Sequence, residues 1–206
     1  MTACFVIAHY KENLDWLGAL PSQLVHIHSK GGHPLSECYS HYKTSYLPNV
    51  GREAHTYLHY IIENYDKLPD VVFFSQGMDD HYSAKHMMMS VQVLLNDPKE
   101  RMLGGRFSYV PGDIERHFNI YHWNGDQLTR VGKTFGEWFR EAIDPEFPDI
   151  LYLFWAACFA VKKERILSRP REFYEGLIKH VDGSRNPEAA HFFERAWFYV
   201  FNCHKA

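Results

Sequence analysis

The sequence predicts α/β architecture: a single three-layer domain, residues 1–206, with a mostly parallel central sheet flanked by helices. Three observations carry this. Short apolar runs alternate with amphipathic helical stretches. The 206 residues are about 1.4 times the roughly 150-residue length expected of one domain, which favours one core over two. No internal repeat, low-complexity tract or linker divides the chain.

Taken in order, Ala3 to Ala8 (ACFVIA) is a nearly continuous apolar run and reads as a buried strand, ending in the polar loop His9-Tyr10-Lys11-Glu12-Asn13. A short helix around Leu14 to Leu20 stops at Pro21. Leu24 to His28 alternates as a second strand and leads into the glycine turn Ser29-Lys30-Gly31-Gly32. Beyond Gly51, residues Ala54, Tyr57, Leu58, Ile61, Ile62 and Tyr65 fall on one helical face. Asn49 is the expected N-cap of that helix, and Glu53 complements its positive end. Val71 to Ser75 is a further buried strand that breaks into Gln76-Gly77-Met78-Asp79-Asp80-His81. A methionine-rich helix from about Ser83 to Leu95 follows.

Arg101 to Arg130 contains Gly104-Gly105, Pro111-Gly112 and Asn124-Gly125 and reads as a strand and a hairpin. Thr134 with Glu137 three residues on is a capping box for a helix to about Ala142. After Pro145 and Pro148, the apolar run from Ile150 to Val161 reads as partly strand, followed by a helix ending near Ser168 and another over Arg171 to Lys179. The last helix takes Asn186 as N-cap and Pro187 as its first position, with Phe193, Ala196, Trp197, Val200 and Phe201 on one face.

Composition narrows the function classes. Hydrophobic residues make up 46% and charged residues 23%, as in folded soluble proteins. A net charge of −3 without runs of either sign disfavours nucleic acid as a partner. Half-protonation of the 14 histidines would turn −3 into +4, so the charge is expected to change sign under mildly acidic conditions. The longest apolar run is too short to span a bilayer and the first residues lack a signal-peptide pattern, so no transmembrane segment is expected. Cys4, Cys38, Cys158 and Cys203 lie far apart with no CxxC, which fits a reducing cytoplasm. The abundant Phe, Tyr and Trp suit a dense core and also flat walls for sugar or base rings.

In such sheets ligands bind beyond the carboxyl ends of the strands. The three loops there, residues 9 to 13, 29 to 33 and 76 to 81, carry His9, Lys11, Glu12, Lys30, Asp79, Asp80 and His81. Cations and paired carboxylates on one rim point to a phosphorylated ligand with Mg²⁺ or Mn²⁺, since adjacent carboxylates supply hard oxygen ligands. The same Asp-Asp pair also suits a solvated turn or a helix cap. Backbone N–H groups of Lys30-Gly31-Gly32 suit an anion, and Arg52 offers a forked guanidinium at a helix start, or a surface salt bridge. His26 and His28 share a strand face, and His81 and His86 are not at HExxH spacing, so most histidines read as core or surface residues. GxGxxG, GxxxxGK[ST] and GxSxG are absent, which disfavours dinucleotide, P-loop and α/β-hydrolase chemistry.

Three stretches, CFVIAHYKENLDWL, LPNVGREAHTYLHYIIENYDKLPDVVFFSQG, and ACFAVKKERILSRPREFYEGL with the later ERAWFYVF, resemble a family long catalogued without a function. The chain as a whole resembles the N-terminal GT-A-fold domain of a chlorella-virus-encoded multidomain glycosyltransferase. The resemblance implies a transferase that uses a UDP- or dTDP-linked hexose or deoxyhexose, such as glucose or rhamnose, and a glycan acceptor. It also implies host cytoplasm as the location if the source is viral, and further domains in a parent chain. It assigns the metal to Asp79 and Asp80, where Met78-Asp79-Asp80 stands in place of Asp-x-Asp, and the nucleotide to His9, Tyr10, Lys11 and Glu12, with Lys30, Asn49 and Arg52 as neighbours. An inverting mechanism needs a carboxylate for the acceptor proton; Asp149 is the first candidate, then Asp144 and Glu146. The competing readings are a metal-dependent phosphohydrolase or nucleotidyl transferase, and a noncatalytic carbohydrate-binding module.

Overall fold

The computed structural model describes residues 2–78, 82–110 and 128–205. Six strands form one sheet: β1 (Ala3–His9), β2 (Val25–Ser29), β3 (Lys43–Tyr46), β4 (Val71–Gln76), β5 (Met102–Tyr109) and β6 (Leu151–Lys162). Their order is β3-β2-β1-β4-β6-β5. The first three pairings across it are parallel and the last two antiparallel. The mostly parallel sheet is as expected, and β1, β2 and β4 end together on one rim.

The helices are α1 (Arg52–Asn64), α2 (Ala84–Asn96), α3 (Phe135–Ala142), α4 (Arg171–Ile178) and α5 (Glu188–Val200). Period-2 alternation divides the strands between two cores. Val6, Val72 and Phe74 face α1, α3, α4 and α5, while Phe5, Ile7 and Phe73 face α2 and the 3-10 turn Asp15–Ala19. The sheet is therefore the middle layer of three.

Several expectations change in detail. Asn49 does not cap α1: Gly51 holds that position at φ 62. A Cβ on Gly51 would lie 2.2 Å from the Val181 carbonyl oxygen, so both the left-handed backbone and the close approach require glycine. The helix expected at Leu14 to Leu20 is the 3-10 turn, and the one ending near Ser168 is a single turn, Lys163–Ile166. The N-cap of α5 is Pro187, one residue after the expected Asn186. Of the stretch Arg101 to Arg130, expected as a strand and a hairpin, β5 supplies the strand, and residues 111–127 lie outside the described residues.

The run from Ile150 is strand almost throughout, β6, but an irregular one. Its pairing to β5 jumps from Gly104↔Phe159 to Arg106↔Phe154. Ala156 and Ala157 there take φ 54 and 53, a left-handed conformation that costs non-glycine residues about 1–2 kcal/mol each. Three hydrogen bonds hold it: Ala156 N–H donates to Glu194 Oε1 at 3.0 Å, Gln76 Nε2 to the Ala156 carbonyl at 2.9 Å, and the Tyr57 hydroxyl to the Ala157 carbonyl at 3.1 Å.

Between β2 and α1 lies a layer of imidazoles. The rings of His26 and His28 meet at 4.1 Å, tilted by 36°, and His28 meets His59 at 6.3 Å, with His55 and His59 one turn apart on α1. His26 Nε2 pairs with Ser45 Oγ at 2.9 Å, while neither buried ring nitrogen of His28 has a hydrogen-bond partner among the described residues.

Candidate functional site

A cleft of about 170 Å³ opens at the carboxyl ends of β1, β2 and β4. His9, Tyr10 and Glu12 supply one wall, Lys30 the floor, and Asn49, Arg52 and Glu53 the wall at the start of α1; Gln76 and Arg185 close it. The parallel strands make this convergence, because each hands its following loop to the same rim.

The loop after β1 is held from within. His9 Nε2 lies 3.2 Å from the Glu12 carbonyl oxygen and Nδ1 lies 3.1 Å from Ser29 Oγ. A carbonyl only accepts, so Nε2 carries the proton and Nδ1 accepts from the Ser29 hydroxyl. Burial lowers the His9 pKa against the pull of Glu12, keeping a neutral ring whose nitrogens are both engaged. Glu12 Oε2 accepts from the backbone N–H groups of Tyr10 at 2.7 Å and Lys11 at 3.1 Å. The Glu12 carboxylate packs on Gly77, where a Cβ would sit 2.7 Å from Oε2. Trp16 Nε1 also donates to the Gly77 carbonyl at 3.0 Å, tying the β1 loop to the β4 loop.

Lys30 is 5% exposed. Its ammonium donates to the carbonyls of Val50, at 2.6 Å, and Arg52. Burial brings its pKa down to about 7, with Glu53 opposing. Two of its three donor positions therefore fasten the start of α1, and one remains for the cleft. Arg52 sits at φ 49 directly after Gly51 and places Nε 3.7 Å from Glu53 Oε2. The Gly51 N–H donates to the Ser184 carbonyl at 2.7 Å, which brings the neighbouring Arg185 to the rim.

Of the residues expected from sequence, the structure brings His9, Tyr10, Glu12, Lys30, Asn49 and Arg52 into the cleft. Lys11 is exposed and does not line it; its ammonium stands 5.0 Å from the centre of the Tyr10 ring. Asp79 and Asp80 lie outside the described residues. Asp149 is exposed ahead of β6 and away from the cleft lining. Asp144 is buried against Lys205, 2.6 Å from its ammonium, and His204, 3.6 Å away, and Glu146 is exposed. Glu53, Gln76 and Arg185 are cleft residues that sequence reasoning did not assign to a ligand. Gln76 begins one of the three loops, so strand topology could have found it; nothing local signals Arg185.

Among the described residues no three His, Cys, Asp or Glu side chains are placed to hold a metal ion. The cleft carboxylate of Glu12 is already engaged by two backbone N–H groups. Among the described residues no helix is long and apolar enough to cross a membrane.

A family model described as "Protein of unknown function (DUF3431)" matches residues 5–206. No curated protein matches the chain. Among solved structures, that of CMP:2-keto-3-deoxy-manno-octonic acid synthetase complexed with CTP is similar at 8% identity and a TM-score of 0.42, covering 82% of this chain and 77% of that one. A likeness at that level carries no argument about activity.

Proposed function

The chain belongs to the DUF3431 family, and for this member we propose metal-dependent transfer of a hexose or deoxyhexose from a UDP- or dTDP-linked donor to a glycan hydroxyl, with inversion. One observation carries the reading: Lys30, Arg52 and Arg185 meet Asn49 and Gln76 in one cleft where parallel strands end. Breaking the anomeric C–O bond leaves negative charge on the departing diphosphate, and fixed cations stabilise such charge as it develops. The cleft volume suits a diphosphate or a single ring, so the remainder of a nucleotide sugar would extend along the open rim. The resemblance of the chain as a whole to a viral transferase domain supports the same reading, and with it go a cytoplasmic location and further domains in a parent chain as parts of the proposal.

In this reading the acceptor oxygen bonds to the anomeric carbon as the C–O bond to diphosphate breaks, and the acceptor proton passes to a carboxylate. Glu53 lines the cleft and Asp149 does not, so the two are tested against each other. A Mn²⁺ or Mg²⁺ ion on Asp79 and Asp80 would add positive charge beside the diphosphate. Tyr10, which lines the cleft, is assigned to the nucleotide.

The test is calorimetric titration with UDP- and dTDP-sugars, with and without Mn²⁺. The Asp79→Asn/Asp80→Asn and Arg52→Ala variants should each lose about ten- to a hundredfold in affinity, the loss expected of one charge-assisted contact. A parent that binds neither nucleotide sugar, or variants that bind as well as the parent, would sink the proposal. Product masses then separate sugar transfer from release of phosphate or nucleotide. With a defined acceptor, Glu53→Gln and Asp149→Asn identify the base by which one loses roughly 10²- to 10⁴-fold in rate.

A further inference from the structure

At the opposite end of the sheet from the cleft, the amino ends of β1, β2 and β3 and the last turn of α1 border a pocket of about 500 Å³. It shares no lining residue with the cleft. Strand β2 runs from one to the other. His26 lines the pocket, His28 follows on the same face, and Lys30, just past the end of the strand and roughly 13 Å further on, lines the cleft.

We propose that this pocket is a second anion site, built for the phosphate monoester of a hexose-sized sugar; it does not rest on the transferase reading of the cleft. Charge is the first ground. Lys43 of β3 and Lys67, just after α1, line the pocket, and among the described residues no carboxylate does. Of the carboxylates near it in sequence, Asp66 lies 3.6 Å from Arg171, Asp70 accepts from the Thr2 N–H at 2.7 Å, and Glu63 is exposed on α1. Lys67 also complements the negative end of α1. Lys43 has no such helix end beside it, and its ammonium forms no ion pair among the described residues. Two ammonium groups balance the charge of a phosphate monoester, which is close to −2 at neutral pH.

A buried ring nitrogen is the second ground. His26 is 5% exposed, its Nε2 lies 2.9 Å from Ser45 Oγ, and its Nδ1 has no hydrogen-bond partner among the described residues. Unlike the nitrogens of His28, this Nδ1 is not sealed inside the protein, and the ring borders the pocket. A phosphate oxygen there would select the tautomer in which Nδ1 carries the proton and Nε2 accepts from the Ser45 hydroxyl. Burial, and after it the charge of Lys43, lowers the His26 pKa to about 4, which marks the Lys43 ammonium as a neighbour of this ring. Size and lining are the third ground. The volume exceeds what a free phosphate fills and falls in the range of small-ligand sites. Leu24, Val25 and Pro69 give an apolar wall, while Ser22, Gln23 and Asn64 bring hydroxyl and amide groups. Asn64 Nδ2 donates to the Tyr60 carbonyl at 2.8 Å, which leaves its Oδ1 to accept from a sugar hydroxyl.

The experiment uses the full chain. Glucose 6-phosphate, mannose 6-phosphate, inorganic phosphate and glucose are titrated into the parent, into Lys43→Gln/Lys67→Gln and into the cleft variant Arg52→Ala, with backbone amide shifts followed by NMR and circular dichroism checking the fold. A sugar phosphate should saturably shift amides of residues 22–26, 41–43 and 64–67. Its affinity should fall at least tenfold in Lys43→Gln/Lys67→Gln and stay within twofold of the parent in Arg52→Ala. Inorganic phosphate should bind more weakly than the ester, and glucose should not bind. Shifts confined to the cleft residues 9–12 and 49–53, a double variant that binds as well as the parent, or a parent that binds neither ester overturns the site. Inorganic phosphate binding as tightly as the esters overturns the sugar assignment. A parent that binds a sugar phosphate through Lys43 and Lys67 but neither UDP- nor dTDP-sugar keeps this site and refutes the transferase reading of the cleft.

Discussion

Lys30 joins two tasks in one side chain. Its ammonium fastens the start of α1 through the Val50 and Arg52 carbonyls, and the same group faces the cleft. Burial lowers its pKa from 10.5 to about 7, so near neutrality its charge depends on what sits beside it. A diphosphate favours the charged form. Nucleotide binding should therefore take up a proton above pH 7, and affinity should fall as pH rises from 7 to 9, by up to about ten- to a hundredfold if the contact is fully lost. Calorimetry in two buffers of different ionisation enthalpy measures that proton directly. A proton count of zero together with constant affinity across pH 6–9 would show that Lys30 is only structural. The sequence placed Lys30 in the right loop, because a strand followed by a glycine turn is a local pattern. Its two carbonyl partners stand 20 and 22 residues away, beyond any local pattern.

At the scale of elements, the best-read features were those whose cause lies within a few residues. The capping box of α3 is one: Thr134 Oγ1 accepts from the Glu137 N–H at 3.3 Å while Glu137 Oε2 accepts from the Thr134 N–H at 2.8 Å. Thr134→Ala should cost about 1 kcal/mol and lower Tm by roughly 2–4 °C in a thermal melt, with no change in ligand affinity. A melt within 1 °C of the parent would mean that packing alone holds α3. The apolar face of α1 was legible for the same reason, but its cap was not, because Gly51 is demanded by Val181 far along the chain. Strand β3 was missed altogether. Its residues KTSY are polar and partly exposed on an edge, so no apolar alternation announces them. The irregularity in β6 was likewise hidden, since alanines carry no sign of a left-handed backbone.

For the molecule as a whole, the histidines behave differently from the free residue. Burial lowers the pKa of His26 and His55 to about 4, that of His28 further, and also those of His9, His59, His180, His191 and His204. With eight of the 14 shifted in this direction, the change of net charge expected under mildly acidic conditions moves to lower pH. The sign for stability follows. Between pH 6.5 and about 4 the unfolded chain binds more protons than the folded one, so stability is full above 6.5 and declines as pH falls through that window. Glu194, whose carboxyl is raised by burial and by Glu53, opposes this in part. Tm should drop by several degrees from pH 7.5 to pH 5, and His28→Gln should flatten the slope. Equal Tm values at the two pH values would contradict a neutral imidazole layer.

Strand topology made the general location of the cleft legible, while its closure was not. The lining residues run from Ala8 to Arg185, and the N–H of Gly51 meets the carbonyl of Ser184. During synthesis at about 5–20 residues per second, roughly 10–35 seconds separate the appearance of the first of these residues from that of the last. For most of that interval β1, β2 and α1 are already made, with their rim and their histidine-bearing seam still lacking the segment that completes them. A nascent chain stalled just before Arg185 would hold all six strands and no finished cleft, which makes this rim the stretch that a chaperone at the ribosome exit would meet open.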